Sequence, residues 1–193
     1  FKMISHIVDD LFDMQFLCEL EETVLEVPVY TTNVANPQSF PQGLIGSHRL
    51  FGTDIFSRDN GNRITKLHTD APIFFDAWEI IDENLFEVPT YLRRIDLNLQ
   101  YFGQNGTTHN DGEGLTVMVM NNTQWKSEWG GQFQLMDSME KDAKVVEEIE
   151  YKPGRIIIFD STLPHRGLGP LNEYVYRYTT VYRVILEDIE RFF

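Results

Sequence analysis

The feature that most constrains the fold of this chain is an alternating run of side chains over residues 91–101. Apolar or aromatic residues stand at positions 95, 97, 99 and 101, and Asp96, Asn98 and Gln100 lie between them. Successive side chains of a β-strand point to opposite faces of the sheet, so this spacing predicts a strand with one buried face and one polar face. Five further segments have the composition of strands and are separated by Gly-Gly, Pro-Gly or Asn-rich turns: residues 115–120, 131–136, 145–151, 155–160 and 174–186.

The part of the chain before these strands predicts two amphipathic helices. Apolar residues recur at helical spacing over residues 11–25, with Asp9 or Asp10 as the N-cap. A second helix is predicted over residues 71–86, with Asp70 as its N-cap. Helices followed by a series of strands predict an α+β fold, mainly β, in which the strands form a sandwich or barrel.

The chain shows no internal repeat and no linker, which predicts a single domain over residues 1–193. Residues 31–63 are rich in Asn, Gly, Ser and Pro and predict a long irregular connection. We therefore expect residues 1–89 to supply helical and loop support, and residues 90–186 to form the strand core.

Composition limits the classes of binding partner and the cellular compartment that we expect for this chain. The 30 acidic and 16 basic residues give a net charge of −14, which repels phosphate backbones, so nucleic acid is not an expected partner. Cys18 is the only cysteine, which excludes an intramolecular disulfide and favours a reducing compartment, so we expect a cytoplasmic protein. The sequence has no apolar run long enough to span a bilayer, and a membrane association is not predicted.

The pair His109-x-Asp111 follows the first predicted strand after a Gly-rich turn. Residues i and i+2 of extended backbone point to the same side, so one imidazole and one carboxylate can reach a common ion. His68-x-Asp70 has the same spacing, but it lies where a helix is predicted to begin and Asp70 already serves there as a cap. We therefore expect the metal at His109 and Asp111 and not at the earlier pair.

A third metal ligand is predicted at His165, where the apolar strand 155–160 ends in a short turn. Two histidines and one carboxylate form a facial triad that leaves three coordination positions open, an arrangement typical of non-haem iron(II). The triad predicted from the sequence is thus His109, Asp111 and His165.

An Arg-x-Thr pair, Arg177 and Thr179, lies in the last predicted strand. Both side chains share one face of that strand, and a guanidinium can bind a carboxylate through two parallel hydrogen bonds. Thr179 can add a hydrogen bond to the same carboxylate, and Arg183 is the alternative cation on that face.

These residues resemble, in order and approximate spacing, the 2-oxoglutarate- and iron(II)-dependent dioxygenases, specifically their prolyl 4-hydroxylase-like branch. The resemblance covers roughly residues 90–186. It extends to a Tyr-x-Gly sequence at Tyr101 before the metal motif, a Gly-Gly strand at residues 130–133, and a Lys-Pro-Gly-Arg segment at residues 152–155 that resembles the branch's Pro-x-Gly entry to the second histidine strand.

The resemblance implies a double-stranded β-helix, a cupin-like jelly roll buttressed by the N-terminal helices. It implies that the triad binds Fe(II), and that Arg177, Thr179 and Tyr101 bind 2-oxoglutarate as a cosubstrate, with ascorbate as an accessory reductant. The implied activity is an O2-dependent hydroxylation, most simply of a prolyl residue in a peptide or protein, that yields succinate and CO2.

Three alternatives stay open at this point. They are an AlkB-type nucleic-acid demethylase, whose Arg-x5-Arg spacing matches Arg177 and Arg183, a hydroxylase of a small-molecule substrate, and a non-catalytic cupin-like binding module. Thr179 and Val181 replace the Asn and Thr that the demethylases have between their two arginines.

Overall fold

The computed structural model describes residues 5–31, 50–59 and 61–186. Within these ranges the helices are α1 (Met14–Glu26) and α2 (Ile73–Leu85), together with a 3-10 turn at Ser127–Trp129. The strands are β1 (Ser5–Val8), β2 (Tyr30–Thr31), β3 (Phe51–Arg58), β4 (Ile64–Leu67), β5 (Thr90–Gln100), β6 (Leu115–Met120), β7 (Phe133–Met136), β8 (Val145–Ile149), β9 (Ile156–Asp160), β10 (His165–Gly167) and β11 (Arg177–Leu186).

The strands form two antiparallel sheets. The major sheet has the order β1-β9-β6-β11-β5-β3-β2, and β4 pairs with β3. The minor sheet has the order β10-β7-β8. Mainly β architecture with two supporting helices confirms the predicted α+β class and the double-stranded β-helix.

The major sheet separates two apolar cores. On one face, Ile95, Leu97 and Tyr182 pack with residues of α1 and α2, such as Leu20 and Phe74. On the other face, residues of β6 and β9 pack against the minor sheet; this second core comprises Met118, Met120, Phe133, Leu135, Ile149, Tyr151, Ile157 and Phe159. From Arg94 onward the alternation predicted for β5 follows from this arrangement, because Ile95, Leu97 and Leu99 face the helices and the even positions face the other sheet. A register shift in the pairing with β11 reverses this order before Arg94, so Leu92 also packs on the helix side.

Both helix caps predicted from the sequence are wrong. Helix α1 begins after Asp13, whose carboxylate accepts a hydrogen bond from the backbone N–H of Phe16 at 2.8 Å. Asp9 lies before the helix and instead accepts hydrogen bonds from Arg155 on β9. Helix α2 begins after Pro72 with no side-chain cap, so Asp70 does not have the role predicted for it.

The support expected from residues 1–89 includes strands as well as helices. Strand β3 lies inside the segment predicted to be an irregular connection and pairs with β5 from Phe51 to Ser57. Strand β1 extends the major sheet at the other edge by pairing with β9. Residues 32–49 of the predicted connection lie outside the described residues.

Neither helix of the described residues is long and apolar enough to cross a membrane.

Candidate metal centre and cosubstrate cavity

The backbones of His109 and His165 hold each other in place. The N–H of His109 donates to the carbonyl of His165 at 3.0 Å, and the N–H of His165 donates to the carbonyl of His109 at 2.8 Å. Residues that exchange both backbone hydrogen bonds lie directly opposite each other in an antiparallel pair. Because of this pairing the two imidazoles lie side by side, with ring centroids 4.5 Å apart.

Each imidazole is oriented by a hydrogen bond through its Nδ1. The Nδ1 of His109 lies 2.8 Å from the carbonyl oxygen of Thr107, and the Nδ1 of His165 lies 2.8 Å from that of Leu163. A carbonyl accepts only, so Nδ1 carries the proton and Nε2 keeps its lone pair. Burial lowers the pKa of each imidazole to about 4, so both are neutral at pH 7, which is the form that binds a metal.

Asp111 completes the cluster. Its Oδ1 lies 3.6 Å from the Nε2 of His109, and its Oδ2 lies 3.3 Å from the Nε2 of His165. The carboxylate is fixed from behind, because Thr116 donates to Oδ2 at 2.9 Å and the Arg183 guanidinium contacts Oδ1 at 2.6 Å. Partners of this kind orient a metal ligand before the metal arrives.

The three ligand atoms fit a metal ion. They lie within 4.8 Å of one another, and no other group of three His, Cys, Asp or Glu residues in the described ranges does so. His68 and Asp70, the competing pair in the sequence, are thus not part of such a group. Two neutral imidazoles and one carboxylate are the donor set of a non-haem iron(II) site.

The triad opens into a cavity of about 350 Å³ between the two sheets. Strand β11 lines it with alternate residues, and the even-numbered residues of β5 lie beside them; the strand residues concerned are Arg177, Thr179, Val181, Arg183, Arg94, Asp96, Asn98 and Gln100. Arg177 and Thr179 are each only 2% exposed.

Arg177 is a buried cation with neutral neighbours. Its Nε donates to the carbonyl of Gly131 at 2.8 Å, its Nη1 donates to the Oε1 of Gln100 at 2.7 Å, and the guanidinium lies over the ring of Tyr151. Its Nη2 is buried and has no hydrogen-bond partner in the described part of the chain. A buried charge is costly unless it is paired, so this slot is suited to an anion such as a carboxylate.

Among known protein families, the one described as "2OG-Fe(II) oxygenase superfamily" matches residues 91–182 of this chain. Those residues contain the triad, Arg177 and Thr179. Residues 91–182 belong to the 2OG-Fe(II) oxygenase superfamily.

Solved structures support the same fold for the chain. An oxidoreductase of the 2OG-Fe(II) oxygenase family from Burkholderia pseudomallei is 13% identical, with a TM-score of 0.68 over 95% of this chain and 86% of that chain. A prolyl hydroxylase from Trichoplax adhaerens, solved with a hypoxia inducible factor peptide, is 14% identical, with a TM-score of 0.61 over 96% of this chain and 85% of that chain.

The carbocyclase SnoK from nogalamycin biosynthesis, described as non-heme and alpha ketoglutarate dependent, is 11% identical, with a TM-score of 0.63 over 97% of this chain and 81% of that chain. A comparison with curated protein sequences found no match. At these identities the likeness shows the fold, and the substrate has to be argued from this chain's own residues.

One residue expected to bind the cosubstrate lies elsewhere. The Tyr101 side chain is 39% exposed and lines a separate surface pocket with Phe51, outside the cavity of the triad. It follows β5 in the same alternation as Leu97, and so falls on the face of the sheet that packs against the helices, opposite the cavity. Gln100 takes the inward position and donates to the carbonyls of Gln104 and Gly167 while accepting from Arg177, so it fixes the arginine.

Sequence reasoning missed the role of Thr116 and Arg183 in holding the Asp111 carboxylate. Thr116 lies on β6 directly opposite Arg183 on β11, and its hydroxyl also bonds that of Ser161 at 2.8 Å. The sequence offered one signal for Arg183: it lies six residues after Arg177, an even number, so both side chains are expected on the same face of one strand.

Proposed function

We propose that this oxygenase hydroxylates a prolyl residue of a peptide or protein with 2-oxoglutarate and O2, giving succinate and CO2. The observation that supports the proposal most is the buried Arg177 guanidinium, which has no anionic partner in the described chain and opens into the cavity of the His-Asp-His cluster. A dicarboxylate that reaches both the triad and Arg177 satisfies both ends of that cavity.

The roles of the residues follow from their contacts. His109, Asp111 and His165 would hold iron(II), with Thr116 and Arg183 keeping the carboxylate turned toward it. When bound, iron(II) and 2-oxoglutarate supply the oxidising chemistry, in which the cosubstrate loses CO2 and one oxygen atom passes to the substrate.

The residues that would bind the cosubstrate lie at the end of the cavity away from the triad. Arg177 would bind the distal carboxylate of 2-oxoglutarate through its unpaired Nη2, and Thr179 lies two residues on along the same face. Gln100 keeps the guanidinium in place from the opposite side. Arg183 is already engaged by Asp111, so Arg177 is the better candidate for the cosubstrate carboxylate.

Phe133, Phe159, Met118 and Val181 line the cavity between these ends with apolar surface. Such surface displaces water from the place where the substrate is oxidised and leaves little room for unproductive side reactions. A peptide substrate is supported by the acidic charge of the chain, which disfavours nucleic acid, and by the prolyl hydroxylase among the structural neighbours.

The test compares two substrates under identical conditions. The iron-loaded protein is given 2-oxoglutarate, O2 and either a proline-containing peptide or a methylated single-stranded oligonucleotide, with the His109→Ala variant as a control. We expect succinate formation to rise with the peptide, which gains the mass of one oxygen atom, and neither effect with the oligonucleotide. Formaldehyde release from the oligonucleotide beside an unmodified peptide would support a nucleic-acid demethylase instead.

A further inference from the structure

Gly167 is the last residue of β10, the short strand that begins with the metal ligand His165. Residues two apart on a strand point to the same face, and both positions line the cavity of the triad. At the rise of a β-strand they lie roughly 7 Å apart. Gly167 lies against the Arg177 guanidinium, so β10 leads from the triad to the arginine that would bind the cosubstrate.

The backbone of Gly167 does not itself require a glycine. Its φ lies outside the left-handed region, which Gly131 occupies with a φ of 79°. The pairing of β10 with β7 has no register shift, so Gly167 is not part of a bulge. Glycine inside a strand weakens it, and often marks either a bulge or a place where a ligand or another backbone comes close. The missing side chain is therefore explained by what approaches this residue.

A Cβ at position 167 would meet the charged end of Arg177. It would lie 3.2 Å from Nη1, 3.3 Å from Nη2 and 3.2 Å from the Oε1 of Gln100, and the Cζ of the arginine is no nearer than these atoms. At Gly106, by contrast, a Cβ would meet the backbone carbonyl oxygen of Gly167 at 3.0 Å. The space in front of Gly167 is thus bounded by polar side chains and not by another main chain.

This space lies beside the edge of the guanidinium that is open to an anion. Because the Cβ position is almost equally far from Nη1 and Nη2, and no nearer to Cζ, it is on the side of the edge that these two nitrogens form. Nε already donates to the carbonyl of Gly131, and Nη1 donates to Gln100. Nη2 has no hydrogen-bond partner among the described residues. A carboxylate binds along such an edge, and an oxygen that accepts from Nη2 would share the space that a Cβ would fill.

The backbone of Gly167 is held from several sides. Its carbonyl accepts hydrogen bonds from the Gln100 side chain at 3.0 Å and from the N–H of Gly106 at 2.8 Å, and the residue pairs with Phe133 of β7. A methyl group added here would therefore displace the Arg177 side chain, Gln100 or a bound carboxylate before it moved the main chain. It would shorten the cavity at its arginine end.

We propose that Gly167 sets the length of the 2-oxoacid that the protein accepts, because it leaves free the space in which the distal carboxylate meets the Nη2 of Arg177. This inference rests on the proposed function, in which Arg177 binds the carboxylate far from the triad. Gly167 is then a specificity-determining residue: the glycine admits the five-carbon 2-oxoglutarate, and alanine in its place favours the four-carbon oxaloacetate.

The experiment compares two 2-oxoacids that differ by one methylene group. The Kd values of 2-oxoglutarate and freshly dissolved oxaloacetate are measured by calorimetry under nitrogen on the iron-loaded protein, without any prolyl substrate. The variants are Gly167→Ala, Gln100→Ala and, as a matched control, Gly61→Ala. Gly61 lies in the exposed turn before β4, where a Cβ would contact only Asp59, at 3.4 Å. Iron affinity and melting curves are recorded for each variant.

One methylene group in a fitted site changes affinity about 10–200-fold. We therefore expect Gly167→Ala to raise the Kd for 2-oxoglutarate by at least about 30-fold, and the Kd for oxaloacetate by about threefold or less. Gln100→Ala removes support from Arg177 but leaves the space open, so it should weaken both oxoacids by similar factors. Gly61→Ala should change neither Kd.

An unchanged Kd for 2-oxoglutarate in a folded Gly167→Ala protein overturns the proposal, and so do equal losses of the two oxoacids. A change of preference in Gln100→Ala as large as that in Gly167→Ala would assign the selection to Gln100 instead.

A second measurement does not depend on a variant. In NMR spectra of the zinc-loaded wild-type protein, the Hα protons of Gly167 should show a nuclear Overhauser contact with the methylene protons of bound 2-oxoglutarate, and its absence at saturation refutes the assignment. Neither experiment uses a prolyl substrate. A protein that binds the oxoacids as expected but never hydroxylates a peptide would refute the proposed function and leave the role of Gly167 standing.

Discussion

Replacing Arg177 tests how the cosubstrate is held. The guanidinium is fully buried and makes two hydrogen bonds to neutral acceptors. Because no described residue supplies it with a counter-charge, the carboxylate of a bound cosubstrate would be its anionic partner. Losing one partner of a buried, hydrogen-bonded charge pair costs about 2–5 kcal/mol. At about 1.4 kcal/mol per tenfold, Arg177→Gln should raise the Kd for 2-oxoglutarate between about 30-fold and a few thousand-fold.

The assay follows succinate formation against 2-oxoglutarate concentration and measures cosubstrate binding directly by calorimetry under nitrogen. Iron content should stay normal, because Arg177 contacts none of the triad. Arg177→Lys keeps a charge but loses the fork that reaches Gln100 and Gly131, so we expect a smaller increase in Kd.

Arg183 is the matched control, since it lies on the same face of the same strand but is engaged by Asp111. Arg183→Gln should lower iron affinity more than 2-oxoglutarate affinity. If Arg183→Gln instead raises the Kd for 2-oxoglutarate steeply while Arg177→Gln changes it little, the assignment of Arg177 is wrong.

Three further predictions concern the metal and the carboxyl group of Asp96. His109→Ala should abolish iron binding and succinate formation while His68→Ala, outside the cluster, retains both; iron content measured by atomic absorption decides, and an active His109→Ala protein refutes the triad. Thr116→Val removes the hydroxyl that fixes Asp111 and should weaken iron binding by about 10–100-fold, measured by competition with a chelator. The pKa of Asp96 is raised from 3.8 to about 6 in the folded protein, so folding binds a proton between these values and stability falls as pH rises through them. Urea unfolding should therefore show that Asp96→Asn gains up to about 3 kcal/mol over the wild type on going from pH 4 to pH 7, and a difference independent of pH would contradict the shift.

The strand alternation of the C-terminal half was predictable because each apolar position corresponds to a side chain buried on one face of the sheet. In β5 the apolar positions Ile95 and Leu97 meet the helices while Asp96 and Asn98 meet the cavity, and the sequence shows this period without help. The same alternation argues against Tyr101 as a cosubstrate ligand, because it places Tyr101 with Leu97 on the helix-facing side of the sheet. The family resemblance predicted Tyr101 in the cosubstrate site and the alternation predicted it outside; in the structure it lines a separate pocket.

The elements that could not be predicted depend on distant partners. Strand β3 mixes Gly, Thr, Asp and Ser, and its identity as a strand comes from pairing with β5 rather than from its own composition. Asp9 was a plausible helix cap in isolation, but Arg155, far along the chain, binds it instead. Thr116 and Ser161 meet at Asp111 only after β6 and β9 have paired, so nothing local marks them as part of the site.

The main-chain pairing of His109 with His165 has a consequence for how the protein handles its metal. Two hydrogen bonds between the backbones, and one from each ring to a carbonyl of its own loop, set the spacing of the imidazoles without any ion. Folding and metal loading are then separate events: a chelator should strip the protein without melting it, and added iron should restore it within the time of mixing. The same rigidity lets other divalent ions of similar size be loaded into one unchanged scaffold, which makes redox-inert substitutes available for trapping the protein with cosubstrate and substrate together.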